Sequence, residues 1–196
     1  TMANKDAAFG LRPVRMMGGA PYSGGQSRYR IASGLSGKIF NGDIVKQVTG
    51  GGIERAAAGS AVPVIGVFNG CQYTDPTSGE QVFSNYYPGS ISASDIIAFV
   101  IDDPMTVFSV QADAAFPVAD LFGNFDIVDQ STTGDTASGR SNVELDVTTG
   151  ATTTTLPLKA LDISQDPDND DVASANTNVL VVIQNHIAGV KSAGLA

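Results

Sequence analysis

The chain has 196 residues, 42% of them hydrophobic and 16% charged, with a formal net charge of −9 at pH 7. That length buries a core without metal or disulfide staples, and Cys71, the single cysteine, has no partner for an intrachain disulfide. The negative balance argues against nucleic-acid backbones as partners. The apolar runs 96–101 and 179–183 are far shorter than the ~20 residues of a membrane-spanning helix, so no membrane partner is expected either.

Residues 1–27 carry Gly10, Pro13, Gly18, Gly19, Pro21, Gly24 and Gly25 among isolated apolar residues such as Phe9, Leu11 and Val14. Glycine and proline at this density defeat a helix. The segment reads as an extended arm that needs a surface, its own or a neighbour's, on which to order. No apolar run of the kind found in export signals follows its charges, so secretion is not expected.

From Arg28 onward short β-prone runs alternate with Gly, Asn, Asp and Ser clusters, the pattern of an antiparallel sandwich or barrel. Candidate strands are 28–32, 43–48, 62–68, 82–87 and 95–101, with Gly50, Gly51 and Gly52 supplying a turn. Phe108, Val110 and Ala112 alternate with Ser109 and Gln111, the period of a half-buried strand. Runs at 127–128, 143–147, 156–163 and 179–184 bring the set to about ten. Pro117 limits 113–123 to a short helical turn. The Ser-, Thr-, Gly- and Asp-rich stretch 130–155 reads as a loop or hairpin excursion from one domain spanning 28–196. The expected class is therefore all-β, with an N-terminal arm and little helix.

Charge is unevenly placed. Lys5, Arg12, Arg15, Arg28, Arg30 and Lys38 are six of the eleven basic residues, against the single acid Asp6 in the same stretch; residues 95–171 hold fifteen of the twenty acids. A basic arm is attached to an acidic body.

Residue types for catalysis are scarce. His186 is the only histidine and ends an apolar run, and no Gly-x-Ser-x-Gly elbow surrounds a serine. Cys71 follows an apolar run and reads as a small buried hydrophobe. In the acidic run Asp166-Pro167-Asp168-Asn169-Asp170-Asp171, a calcium loop opening at Asp166 would place Asp171 where glycine belongs and Thr177 where glutamate belongs. Gly37-Lys38 is followed by Ile39, which rules out a phosphate loop. Asp102 and Asp103, adjacent before Pro104, would point to opposite faces of a strand and read as a turn. No catalytic, cofactor-binding or metal-binding residue is assigned, and no cofactor is expected. Tyr73, Phe83, Tyr86 and Tyr87 offer an alternative: an aromatic platform for a glycan or host ligand.

The opening Met2-Ala3-Asn4-Lys5 with Ala8-Phe9-Gly10-Leu11-Arg12-Pro13-Val14 resembles the start of a family of small virion structural proteins of tailed bacteriophages. Ile31-Ala32-Ser33-Gly34, Ile39-Phe40-Asn41-Gly42-Asp43-Ile44-Val45-Lys46, Ile65-Gly66-Val67-Phe68 and Asp102-Asp103-Pro104 extend the likeness in order over residues 2–128; residues 130–175 are peculiar to this chain. The resemblance implies a head decoration or cement protein with a jelly-roll-like sandwich or barrel, placed on the outer capsid surface after assembly in the host cytoplasm. Its implied partners are the major capsid protein and itself, as a dimer or trimer. On that expectation Phe9, Leu11, Arg12, Val14 and Arg15 contact a neighbouring subunit, apolar anchors giving affinity and arginines pairing with carboxylates.

Overall fold

Alternation of apolar and polar residues along short runs requires each run to sit in a sheet with a covered face. In the computed structural model, which describes residues 3–128, 134–189, 191 and 194, twelve strands meet that requirement in two six-stranded sheets. The strands are β1 (Arg12–Met16), β2 (Ser27–Arg30), β3 (Ile44–Val48), β4 (Gly52–Arg55), β5 (Val64–Thr74) and β6 (Gln81–Ser84). They continue with β7 (Ile97–Ile101), β8 (Thr106–Gln111), β9 (Asn124–Val128), β10 (Glu144–Ala151), β11 (Leu158–Ile163) and β12 (Asn178–Ile183). Helix is confined, among the described residues, to the 3₁₀ turns Val118–Asp120 and Pro167–Asn169. The expected all-β sandwich or barrel is what the chain forms.

One sheet runs β1-β8-β12-β11-β9-β10, antiparallel throughout. The other closes on itself: β3 pairs β4, β4 meets β2 in parallel through Arg30 and Gly52, β2 pairs β7, β7 pairs β5, and β5 returns to β3. The far half of β5, beyond a register shift between Phe68 and Cys71, carries β6 as a flap. A closed ring of strands removes the free edges on which sheets aggregate.

Strand alternation sorts the core into two parts. Val45, Ile53, Ile65, Phe68, Ala98 and Val100 point into the barrel, which Tyr87 and Cys71 help to fill. Their neighbours Ile44, Val64, Val67 and Ile101 point outward and pack against Phe108, Phe125, Leu145, Leu158 and Val181 of the open sheet. The two sheets are thus fused through one apolar layer. Every residue of β8 is buried, including Ser109 and Gln111, so this strand is covered on both faces instead of one. Gln111 accounts for part of the cover: its amide donates to the Lys5 carbonyl at 2.9 Å and accepts the Ala7 N–H at 3.0 Å.

The segment expected to be an arm is docked on its own chain. β1 pairs with β8, and Leu11 is 2% exposed within the core between the sheets. Of the stretch 130–155 expected as an excursion, β10 pairs antiparallel with β9, and Val143 and Leu145 enter the core; residues 129–133 between the two strands lie outside those described. β1 and β4 are the two strands beyond the expected ten.

Gly66 marks the tightest approach in the barrel. A Cβ there would stand 2.1 Å from the Ile101 carbonyl oxygen, on the backbone of the neighbouring strand. We expect Gly66→Ala to lower stability by about 1–3 kcal/mol, the usual cost of overpacking. Gly25→Ala, in open space and without positive φ, should leave stability unchanged or raise it by up to about 1 kcal/mol. Urea unfolding of both variants checks the pair.

Candidate interaction surface

The residues with catalytic potential are placed first by burial. His186 is 2% exposed, behind β12, where its neighbour Ile187 donates its N–H to the Val64 carbonyl. Its Nδ1 accepts the Ala188 N–H at 2.9 Å, which leaves the proton on Nε2; the buried Nε2 has no close hydrogen-bond partner among the described residues. Burial lowers the imidazole pKa, opposed by the Ile65 and Asp102 carbonyls and the charges of Asp102 and Asp103. Asp102 and Asp103 therefore lie within electrostatic reach of His186, but both carboxylates are engaged elsewhere. Asp102 accepts the Tyr29 hydroxyl at 2.8 Å, and Asp103 accepts the Met105 N–H at 2.8 Å in the turn after β7. Burial, then Asp102, push the Tyr29 phenol up to about 12.

Cys71 is buried in the barrel, its Sγ 3.6 Å from the Tyr86 carbonyl, and burial pushes the thiol up to about 12. The acidic run is a pinned turn. The buried Asn169 donates to the Ser164 and Asn178 carbonyls at 2.9 and 3.0 Å, and Asp166 and Asp171 accept the Ser164 and Ser174 hydroxyls, each at 2.8 Å. Among the described residues no group of three or more His, Cys, Asp or Glu is placed to hold a metal ion. The four aromatics do not form one platform either: Tyr73 and Tyr87 fill the barrel, Tyr86 stacks on Phe40 at 5.3 Å, and only Phe83 is well exposed.

What remains on the surface is the outward face of β1. Pro13 lacks an N–H, and a bulge between Pro13 and Arg15 leaves Val14 without a partner in the ladder and 46% exposed. Met17 donates its N–H to the Met105 carbonyl at 2.7 Å, and the exposed Met17 and Met105 (54%) extend the apolar surface beyond Val14. The Arg12 guanidinium lies 4.8 Å over the Phe9 ring, and Arg15 donates to the Met16 carbonyl at 3.3 Å. Neither arginine forms a salt bridge among the described residues, unlike Lys46, which pairs with Glu54 at 3.3 Å. Of the five residues expected at a partner interface, Phe9, Arg12, Val14 and Arg15 are at least partly exposed, and Leu11 is turned into the chain's own core because glycine at position 10 takes a left-handed turn beside it. Met17 and Met105 were not foreseen, since an exposed methionine has no sequence signal distinct from a buried one.

Searches of family models, curated proteins and solved structures find no match to this chain.

Two outcomes follow from the buried groups. The unfolded imidazole takes up a proton near pH 6.5 and the folded one only at lower pH, so His186 destabilises the fold as pH drops through and below about 6.5. The urea midpoint of His186→Leu should decline less steeply between pH 7.5 and 5.5 than that of the unaltered chain. Cys71, with its thiol held neutral in the barrel, should resist iodoacetamide at pH 8 until the protein unfolds, which mass spectrometry across a urea series measures.

Proposed function

We propose that this chain is a structural protein of a tailed-phage virion that decorates and cements the capsid by bridging major capsid subunits. The reading joins the ordered likeness of residues 2–128 to one structural observation: β1 presents apolar and unpaired cationic side chains on an otherwise acidic molecule. A sheet edge interrupted by proline and a bulge is poor at adding a strand. A partner at β1 is therefore met through side chains: Val14, Met17 and Met105 supply apolar area, and Arg12 and Arg15 supply charge-assisted hydrogen bonds to carboxylates. Each contact of this kind is weak. Several copies around a capsid symmetry axis, as dimers or trimers, would raise the effective affinity without new chemistry. Carriage of the arm on β8 makes the contact surface preorganised, which lowers the ordering cost of binding.

The test is cosedimentation with phage heads assembled without this protein. Removing residues 2–27 would strip Leu11 and β1 from the chain's own core, so surface variants replace truncation. The unaltered chain should bind heads at a fixed ratio, and Val14→Asp with Met105→Asp, or Arg15→Glu, should weaken binding at least tenfold while leaving the urea midpoint within error. Absence of binding by the unaltered chain would overturn the reading. Saturable glycan binding by the isolated protein would favour a host-recognition module instead.

A further inference from the structure

Beside β1 lies a second feature of a different kind. A cleft of about 190 Å³ opens where the N-terminal segment, the barrel and the hairpin between β9 and β10 converge. Its lining includes Arg12 and Arg140, Phe9, and the amides Asn41 and Asn69. The two guanidiniums come from positions 128 residues apart (140 − 12) and are brought to one opening on a chain of net charge −9. Among the described residues no Asp or Glu lines the cleft and neither guanidinium has a carboxylate within ion-pair distance.

The surroundings hold these groups in place and take up competing acceptors. Arg12 is stacked on Phe9. The Asn41 amide donates to the side-chain oxygens of Asn69 and Asn85 at 3.2 and 2.9 Å, and Asn69 donates to Gln26 at 2.8 Å, so three amide oxygens are already engaged. Arg140 is anchored by its backbone: its carbonyl accepts the Asp135 N–H at 3.0 Å, and its neighbour Ser141 donates its N–H to the Asn41 carbonyl at 2.9 Å. Asp135, whose carboxyl pKa is lowered by hydrogen bonds from Ser138 and Ala137 and by the Arg140 charge, accepts the Ala137 N–H at 2.9 Å within its own turn and is not within salt-bridge distance of that guanidinium. Two planar cationic donors lining one small opening, beside amide oxygens that already accept hydrogen bonds, suit the chemistry of a carboxylate.

We propose that this cleft receives a carboxylate side chain, aspartate or glutamate, from an extended segment of a partner protein, with Arg12 and Arg140 as its two donors. The inference deepens the capsid reading and rests on it for the partner's identity, whereas the chemistry of the cleft stands apart from it. Arg140 becomes the residue through which the connection between β9 and β10 enters the contact.

Two measurements separate the two ideas. Titrating ¹⁵N-labelled protein with a capped hexaglutamate peptide should shift the Nε–Hε resonances of Arg12 and Arg140 together and saturably. Those of Arg28, Arg30 and Arg55 should stay still, and Arg140→Gln should abolish the Arg12 shift. Shifts spread evenly over all arginines, or no shift at all, would overturn the cleft. In cosedimentation with heads, Arg12→Gln with Arg140→Gln should weaken binding at least tenfold, and the loss should exceed that of Arg28→Gln with Arg30→Gln. If the double variant binds heads as tightly as the unaltered chain, the cleft inference fails and the capsid reading stands. If the unaltered chain does not bind heads but the peptide shifts both arginines, the capsid reading fails and the carboxylate site stands.

Discussion

The Asp43 carboxylate is buried where three distant parts of the chain meet. One of its oxygens accepts the Ser141 hydroxyl at 2.6 Å and the other accepts the Phe40 N–H at 2.8 Å. The preceding Gly42 accepts the Leu11 N–H and donates to the Phe68 carbonyl, each at 2.9 Å. A Cβ on Gly10 would stand 2.6 Å from Ser141 Cβ, so glycine is required there for space as well as for its φ of 69°. Removing one partner of a buried carboxylate leaves an uncompensated charge, which is among the larger single-site costs a fold can suffer. The junction therefore ties the N-terminal segment, the barrel and the β9–β10 hairpin together.

That tie explains why the molecule can present an ordered surface from a segment rich in glycine and proline. Free in solution, such a segment would lose much conformational entropy on meeting a partner. Here the loss is taken at folding, through β1–β8 pairing and burial of Leu11. The junction and the cleft share neighbours: Asn41 and Arg140 flank Asp43 and Ser141 in sequence and line the opening. The same contacts that close the core thus bring Arg12 and Arg140 to one opening.

Burial is the main cause of the raised pKa of Cys71 and Tyr29 and of the lowered pKa of His186, whereas hydrogen bonds lower those of the molecule's exposed Asp95 and Asp135. Its acids are spent on turns, as with Asp103, Asp135 and Asp171, where a carboxylate accepts backbone N–H groups two residues on. Such acids stabilise loops locally and leave a negative exterior against which the arginines of β1 and the cleft stand out.

Ten of the twelve strands were legible because side-chain pattern is a local property: alternation in 108–112, or a short apolar run such as 179–183, predicts a strand wherever it sits. β1 was not, because the isolated apolar residues of 9–14 carry no period, and only β8, about a hundred residues away, gives them a ladder. β4 is four residues long and begins at a glycine, too short for any period to show. Burial of Ser109 and Gln111 was equally invisible, since residues 5–7 cover that face from far along the chain. Of the candidate surface, Phe9, Arg12, Val14 and Arg15 were named from the sequence on the resemblance, whereas Arg140 comes to the same cleft as Arg12 only through the tertiary fold. Sequence alone determined the all-β class, the basic start and acidic body, and the poverty of catalytic residue types, because these depend on composition and nearest neighbours. Tertiary structure alone decided the closure of the barrel, the inward turn of Leu11 and the convergence of the two arginines, because each depends on which distant backbone groups find one another.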